Sequence, residues 1–215
     1  MVTQKAHDQE EASLARIVDD LAYSYEGVFS RESVAAVVRE SHDLLAERST
    51  VAGFTLVLTE RFARERLSAQ AKAQGLRATP TPEVLFICVR NAGRSQMAAA
   101  LMSDRSGGRV HVRSAGSEPG GEIHPVVAEA MAEIGVALTE AFPKPLTDDV
   151  VRASDVIITM GCGDACAFYP GKRYLDWDLA DPSGRPIEEV RAIRDDIDTR
   201  VRELLSQLLP DHSRT

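Results

Sequence analysis

The chain has 215 residues, with 25 Lys and Arg against 33 Asp and Glu; the net charge of −8 disfavours non-specific binding to nucleic acid or anionic membranes. Hydrophobic residues make up 44% and charged residues 27%, an ordinary globular composition, and no apolar run approaches the roughly 20 residues that span a bilayer. The N-terminus, Met1 to Asp8, lacks a secretory apolar core, and three cysteines are not a disulfide framework, so a cytoplasmic setting is expected.

The first 80 residues read as three amphipathic helices. Leu14, Ile17, Val18 and Leu21 recur at i, i+3, i+4 and i+7 and form one apolar stripe. Ser30 is the expected N-cap of a second helix carrying Val34, Val37, Val38, Leu44 and Leu45. Thr50 is the expected cap of a third, with Phe54, Leu58, Phe62 and Leu67 inside and Gly75 as its stop. His42 beside the second stripe reads as a packed or exposed histidine, not a ligand. The polar faces mix both signs, with Asp19, Asp20, Glu40 and Glu60 among the basic residues, so a DNA-reading role is disfavoured. The apolar stripes exceed what so small a bundle buries, and a homodimer through the N-terminal helices is expected.

The linker Leu76–Pro82 carries two prolines and reads as extended. It divides the chain into an N-terminal three-helix domain and linker, 1–80, and a second domain, 81–215. In the second domain strand-like and helix-like runs alternate. Strands are expected at Glu83–Cys88, Val110–Ser114, Asp155–Met160 and Arg173–Asp176; helices at Arg94–Asp104, Pro125–Ile134, Asp148–Ala153 and Ile187–Leu209. That order predicts an α/β fold, a four-stranded parallel sheet flanked by helices, preceded by a small all-α three-helix bundle. Ligands of such sheets bind beyond the C-terminal strand ends, where Cys88 and the Gly161–Gly171 loop both fall.

The most informative stretch is Cys88-Val89-Arg90-Asn91-Ala92-Gly93-Arg94-Ser95, directly after the apolar run Val84–Ile87. A loop wrapping from a strand end to a helix start aims its amides inward, and the helix N-terminus adds positive potential. Asn91 and Gly93 tolerate unusual backbone angles. Arg94 can place a planar fork on two oxygens of a tetrahedral anion. The same field favours the thiolate of Cys88. Nucleophile and oxyanion cradle thus share eight residues, Cys88 through Ser95, which points to attack on a phosphate-like group. The bland alternative is a buried structural cysteine with Arg94 on a helix surface.

Three further features are expected at that edge. Asp181, before Pro182, can protonate a leaving oxygen, or serve only as a turn residue before the last helix. Asp176 and Asp178 are read as residues of the local turn. Ser95 can donate to the Cys88 sulfur, cap the helix, or do both, and Asn91 is expected to hold the loop's shape by side-chain to backbone bonds. Cys162 and Cys166, between glycines, supply further thiols; a second thiol that attacks the first turns a hydrolase into a reductase. They can also be inert loop residues or half of a zinc site, although no other ligand pair is evident. No metal is expected.

These residues resemble the low-molecular-weight tyrosine phosphatase superfamily and, within it, the arsenate reductases. The resemblance spans roughly 83–210. It rests on Cys88–Ser95, Ser114-Ala115-Gly116, Thr159-Met160-Gly161-Cys162, Asp176-Trp177 and Asp181-Pro182. In the phosphatases aromatic residues typically follow the Asp-Pro pair; here Ser183-Gly184 follow, and that departure together with Cys162 and Cys166 favours the reductase. The resemblance implies that Cys88 attacks arsenate held by the loop amides and Arg94, that Asp181 protonates the departing oxygen, and that a second thiol releases arsenite. It implies thioredoxin as the electron donor, with mycothiol or glutathione as alternatives, no bound cofactor, and phosphate or sulfate as mimics of the substrate. The spacing Cys162-x3-Cys166 is shorter than in the best-known three-cysteine members, so which cysteine attacks Cys88 stays open, with a Cys88–Cys166 bond favoured. Some members hold potassium with a Glu on the helix after the loop; Ala99 stands at that place here, and the ion is not expected. The competing readings are a phosphatase acting on phosphomonoesters, and a non-catalytic protein whose Cys88 loop senses anions or redox state.

Overall fold

A computed structural model describes residues 2–47, 55–77, 81–161 and 168–209, with side chains from His7 onward. The chain forms two compact units, 1–78 and 79–215.

The first unit holds α1 (Val2–Ser24), α2 (Arg31–Ala46) and α3 (Thr55–Ala73). Its core is the stripe expected from α1, Leu14, Ile17, Val18 and Leu21, closed by Val34, Val37 and Val38 of α2 and Ala63 and Leu67 of α3. Ser30 caps α2: its side chain accepts the Ser33 N–H at 3.2 Å. Beyond α3, Gly75 takes φ +68° and the Leu76 N–H reaches back to the Ala71 carbonyl, a glycine stop of the kind expected. The expected cap Thr50 and the apolar Phe54 lie outside the described residues. His42 pairs with Glu10 at 2.9 Å, and Arg66, buried on α3, donates to Glu40 and Ser41 of α2. These are polar ties between packed helices.

The second unit holds β1 (Glu83–Cys88), α4 (Arg94–Ser106), β2 (His111–Gly116), α5 (Pro125–Ala132), α6 (Asp148–Ala153), β3 (Val156–Met160), β4 (Arg173–Asp176) and α7 (Ile187–Leu208). All strands are parallel, in the order β2-β1-β3-β4. Val84, Phe86 and Cys88 of β1 share a core with Met97 and Leu101 of α4, Val127 and Met131 of α5, and Val190, Ile197 and Val201 of α7. The alternating residues Leu85, Ile87 and Ile157 are fully buried as well. Both faces of the sheet centre are therefore apolar, which is why β1 reads as an unbroken hydrophobic run.

The element boundaries differ from the expected ones by a few residues, most at β2. That strand runs to Gly116, because the parallel ladder with β1 extends until Gly116 stands beside Cys88. Met160, the end of β3, pairs with Cys88 from the other side. The three strand ends thus deliver Cys88, Gly116 and Gly161 to one edge.

Candidate active site

The loop from Cys88 to Gly93 is held by its carbonyls. Ser117 N–H donates to Cys88 O, Glu118 to Val89 O, Gly120 to Arg90 O and His124 to Ala92 O, at 2.8–3.3 Å. The Gln96 side chain donates to Asn91 O at 3.0 Å, and the Gln96 and Met97 amides donate to Gly93 O. Every carbonyl from 88 to 93 is thus bonded. Because a peptide's C=O and N–H point oppositely, tying the carbonyls outward turns the amides inward. The amides of Val89, Arg90, Ala92 and Gly93, and of Arg94 and Ser95 in the first turn of α4, have no hydrogen-bond acceptor among the described residues.

Two glycines set how closely other chains approach. A Cβ on Gly116 would lie 2.7 Å from Val89 O and 3.0 Å from Asn91 N, so the end of β2 touches the loop backbone directly. At Gly93 a Cβ would lie 2.6 Å from Pro182 Cγ, so the constraint there is space: the Asp181-Pro182 turn presses onto the anion loop. The Arg90 guanidinium lies over Gly120.

Cys88 is 2% exposed and forms no disulfide with a described residue. Its sulfur receives the Asn91 N–H at 3.2 Å and lies 3.0 Å from Ser95 Oγ. Asn91 Nδ2 donates to Ser95 Oγ at 2.8 Å. Either the thiol or the hydroxyl can donate in the neutral pair; once Cys88 is the thiolate it has no hydrogen, and the Ser95 hydroxyl is the donor. Ser95 therefore serves the thiol and not the helix end; the cap position of α4 is Gly93, which has no side chain to offer. Asn91 stands at φ +48°, a left-handed conformation that asparagine accepts more readily than most residues. Its Oδ1 accepts from Lys144 N at 2.8 Å, which fixes the amide's orientation. The expected bond from side chain to backbone is present, and the other end of the same amide feeds the Ser95–Cys88 contact.

Arg94 is buried and its guanidinium is held on one side by the 179–181 turn, with Nη1 donating to Leu179 O at 3.2 Å and Nη2 to Asp181 Oδ2 at 2.7 Å. Asp181 is half exposed and its other oxygen accepts the Ser183 N–H at 2.9 Å. Its turn role and its place beside the anion loop coexist. A Cβ on Gly161, which stands at φ +72°, would lie 3.0 Å from Arg94 Nη1, so the chain leaving β3 begins at this arginine. Cys162 and Cys166 lie outside the described residues.

Trp177 packs against Phe86 with ring centroids 5.6 Å apart, and its backbone N–H donates to Thr159 O at 2.8 Å, which anchors the segment leading to Asp181. Asp176, expected in the local turn, is instead the last residue of β4, where it accepts from the Thr159 hydroxyl of β3 at 2.6 Å, a tie between paired strands. Among the described residues no three His, Cys, Asp or Glu side chains converge as metal ligands. Gln96 and the 117–124 segment were not legible as site residues. Their contribution is made through hydrogen bonds to backbone, and the one signal for them was the glycines at 116, 120 and 121.

The arrangement is a thiol centred beneath inward amides, with a guanidinium and a carboxylic acid at the rim. It can attack, hold and protonate a tetrahedral oxyanion. The profile described as "Low molecular weight phosphotyrosine protein phosphatase" matches residues 83–214, and "Protein-tyrosine-phosphatase-like, N-terminal domain" matches 14–71. The structure resembles that of the Corynebacterium glutamicum thioredoxin-dependent arsenate reductase, with a TM-score of 0.84 and 52% identity over 91% of this chain and 96% of that one. A Halobacterium salinarum protein provisionally named an arsenate reductase is 37% identical over 62% of this chain and 98% of its own length. The Synechocystis glutaredoxin arsenate reductase is 30% identical over 59% of this chain and 98% of its own length. The chain belongs to the low-molecular-weight phosphotyrosine protein phosphatase family.

Proposed function

We propose that the protein reduces arsenate to arsenite. The Cys88 thiolate attacks arsenic(V) held by the amides of Val89 through Ser95 and by Arg94. Asp181 gives its proton to the departing oxygen, which leaves as water, and a sulfur–arsenic bond remains. A second thiolate then attacks the Cys88 sulfur. A disulfide forms, the electron pair of the sulfur–arsenic bond passes to arsenic, and arsenic(III) leaves as arsenite. Cys162 and Cys166 are the candidates for the second thiol, with a Cys88–Cys166 disulfide favoured. A dithiol protein, thioredoxin, then reduces that disulfide and is itself oxidised.

The observation that carries this reading is the Cys88 sulfur, which receives the Asn91 N–H at 3.2 Å beneath a ring of amides without acceptors among the described residues. Thioredoxin is favoured over mycothiol, glutathione or glutaredoxin because the thioredoxin-dependent relative matches 91% of this chain at 52% identity, a span that takes in both units. We further propose that residues 1–80 and 81–215 are separate domains, that the N-terminal helices join two copies, and that the protein works in the cytoplasm without nucleic acid.

The test is arsenate-dependent NADPH oxidation with thioredoxin and thioredoxin reductase, on wild type and on Cys88→Ser, Cys162→Ser and Cys166→Ser. Loss in Cys88→Ser and in one loop variant supports the reductase and identifies the resolving thiol. A second reading, hydrolysis of phosphomonoesters, is favoured by the description of the matching family profile. It predicts aryl phosphate turnover without added thiol that survives replacement of both Cys162 and Cys166.

A further inference from the structure

The sulfur of Cys88 owes both of its described hydrogen bonds to Asn91: one directly from the Asn91 N–H, the other through the hydroxyl of Ser95. Asn91 in turn sits in a left-handed conformation at φ +48°, which a non-glycine residue keeps only where its surroundings hold it. The Lys144 N–H holds its side-chain oxygen, and Gln96 holds both its side-chain and its backbone oxygen. The Gln96 amide nitrogen lies 3.0 Å from Asn91 O, 3.0 Å from Asn91 Oδ1 and 2.9 Å from Phe142 O. One hydrogen serves Phe142 and the other is shared between the two oxygens of Asn91. Gln96 is 4% exposed and Asn91 is fully buried, so water cannot stand in for these bonds.

The position of Gln96 makes this unusual. It is the third residue of α4 after the Gly93 cap. A glutamine there ordinarily reaches back as an acceptor to the N–H of the cap residue. Gln96 reaches two residues further and works as a donor. A Glu at the same site, ionised, would have no hydrogen for three oxygens, and a Met would fill the volume with none.

We propose that Gln96 is a positioning residue for the Cys88 thiolate: it locks the backbone and side chain of Asn91 together, so that the Asn91 amide and the Ser95 hydroxyl both aim their hydrogens at the sulfur. The proposal rests on Cys88 as the nucleophile of this site. Gln96 does not face the anion; it sets how reactive the sulfur is. Its loss acts on the chemical step and leaves anion capture by the remaining amides in place.

The test uses the full chain and two readouts. The first is the rate of Cys88 alkylation by iodoacetamide at neutral pH, followed on the Cys88 peptide by mass spectrometry, which needs no substrate. The second is the split of kcat and KM for arsenate. Gln96→Met is expected to slow alkylation roughly threefold to tenfold, the worth of one or two net hydrogen bonds, and to lower kcat to a similar degree with KM within about twofold. In an Asn91→Ala background the same change is expected to add nothing, since Gln96 acts through Asn91. Gln96→Glu, nearly isosteric, repeats the comparison should the Met variant fail to fold. Unchanged alkylation in a folded variant, or losses that add in the double variant, would overturn the proposal. Absence of arsenate turnover in wild type would sink the reductase reading but leave the alkylation result to decide this one.

Discussion

At the scale of single residues the site divides labour between groups that touch the anion and groups that aim them. Asp181 is bonded to Arg94 at 2.7 Å, so its carboxyl is kept beside the guanidinium that an oxyanion would share. Asp181→Asn preserves a contact to Arg94 but has no proton to give. It is expected to lower kcat for arsenate by roughly 10²- to 10⁴-fold with little change in KM, measured in the thioredoxin-coupled assay. Gly93→Ala is expected to act at a distance from its own chemistry. The new Cβ would stand 2.6 Å from Pro182 Cγ and push the Asp181 turn off the loop. Activity is expected to fall at least about tenfold, because small displacements of an acid cost more rate than stability, and thermal melting should show the fold retained. The sequence announced the reacting groups because their chemistry is in their side chains: Cys88, Arg94 and Asp181 each carry a charge or a nucleophile. It was silent on Gln96, whose amide is unremarkable until its three acceptors are in view.

At the scale of elements, the strands were readable from apolar runs and the helices from their periodicity, with the caps at Ser30 and Gly75 visible as letters. The end of β2 was not, since Ala115-Gly116 looks like a turn. It is strand because the β1 partner continues to Cys88. Gly116→Ala tests that junction. Its Cβ would meet backbone, Val89 O at 2.7 Å, which cannot swing aside as a side chain can. A loss of about 1–3 kcal/mol of stability is expected in denaturant unfolding. On the far side of the sheet unit, Glu133 after α5 bonds Arg191 and Arg194 of α7. The Arg191 hydrogen bond holds the Glu133 carboxyl below its ordinary range, against a smaller opposing cost of burial. A carboxyl held low when folded stabilises the fold above its unfolded pKa and stops doing so as the pH falls through its folded value. The melting difference between wild type and Glu133→Gln is therefore expected at neutral pH and should shrink as the pH falls below the ordinary carboxylate range.

At the scale of the whole molecule, every residue described at the site falls between Cys88 and Ser183, inside the second unit, 79–215. Phosphate at about one hundred times its dissociation constant is expected to stabilise that unit by about 2.7 kcal/mol, read as a shift in its melting transition. Cys88→Ser should keep most of that shift, since the amides do the holding. The outward-tied carbonyls of the loop have a wider consequence. A ring of peptide hydrogens measures the size and charge of a tetrahedral ion and is blind to the atom at its centre, so phosphate enters as freely as arsenate. The two part company afterwards. Arsenic(V) accepts an electron pair from a thiol adduct and departs; phosphorus(V) does not, and must return the way it came or wait for water. Selection in this protein is thus a matter of fate and not of admission: the visitor that can be reduced leaves changed, and the other only occupies the seat.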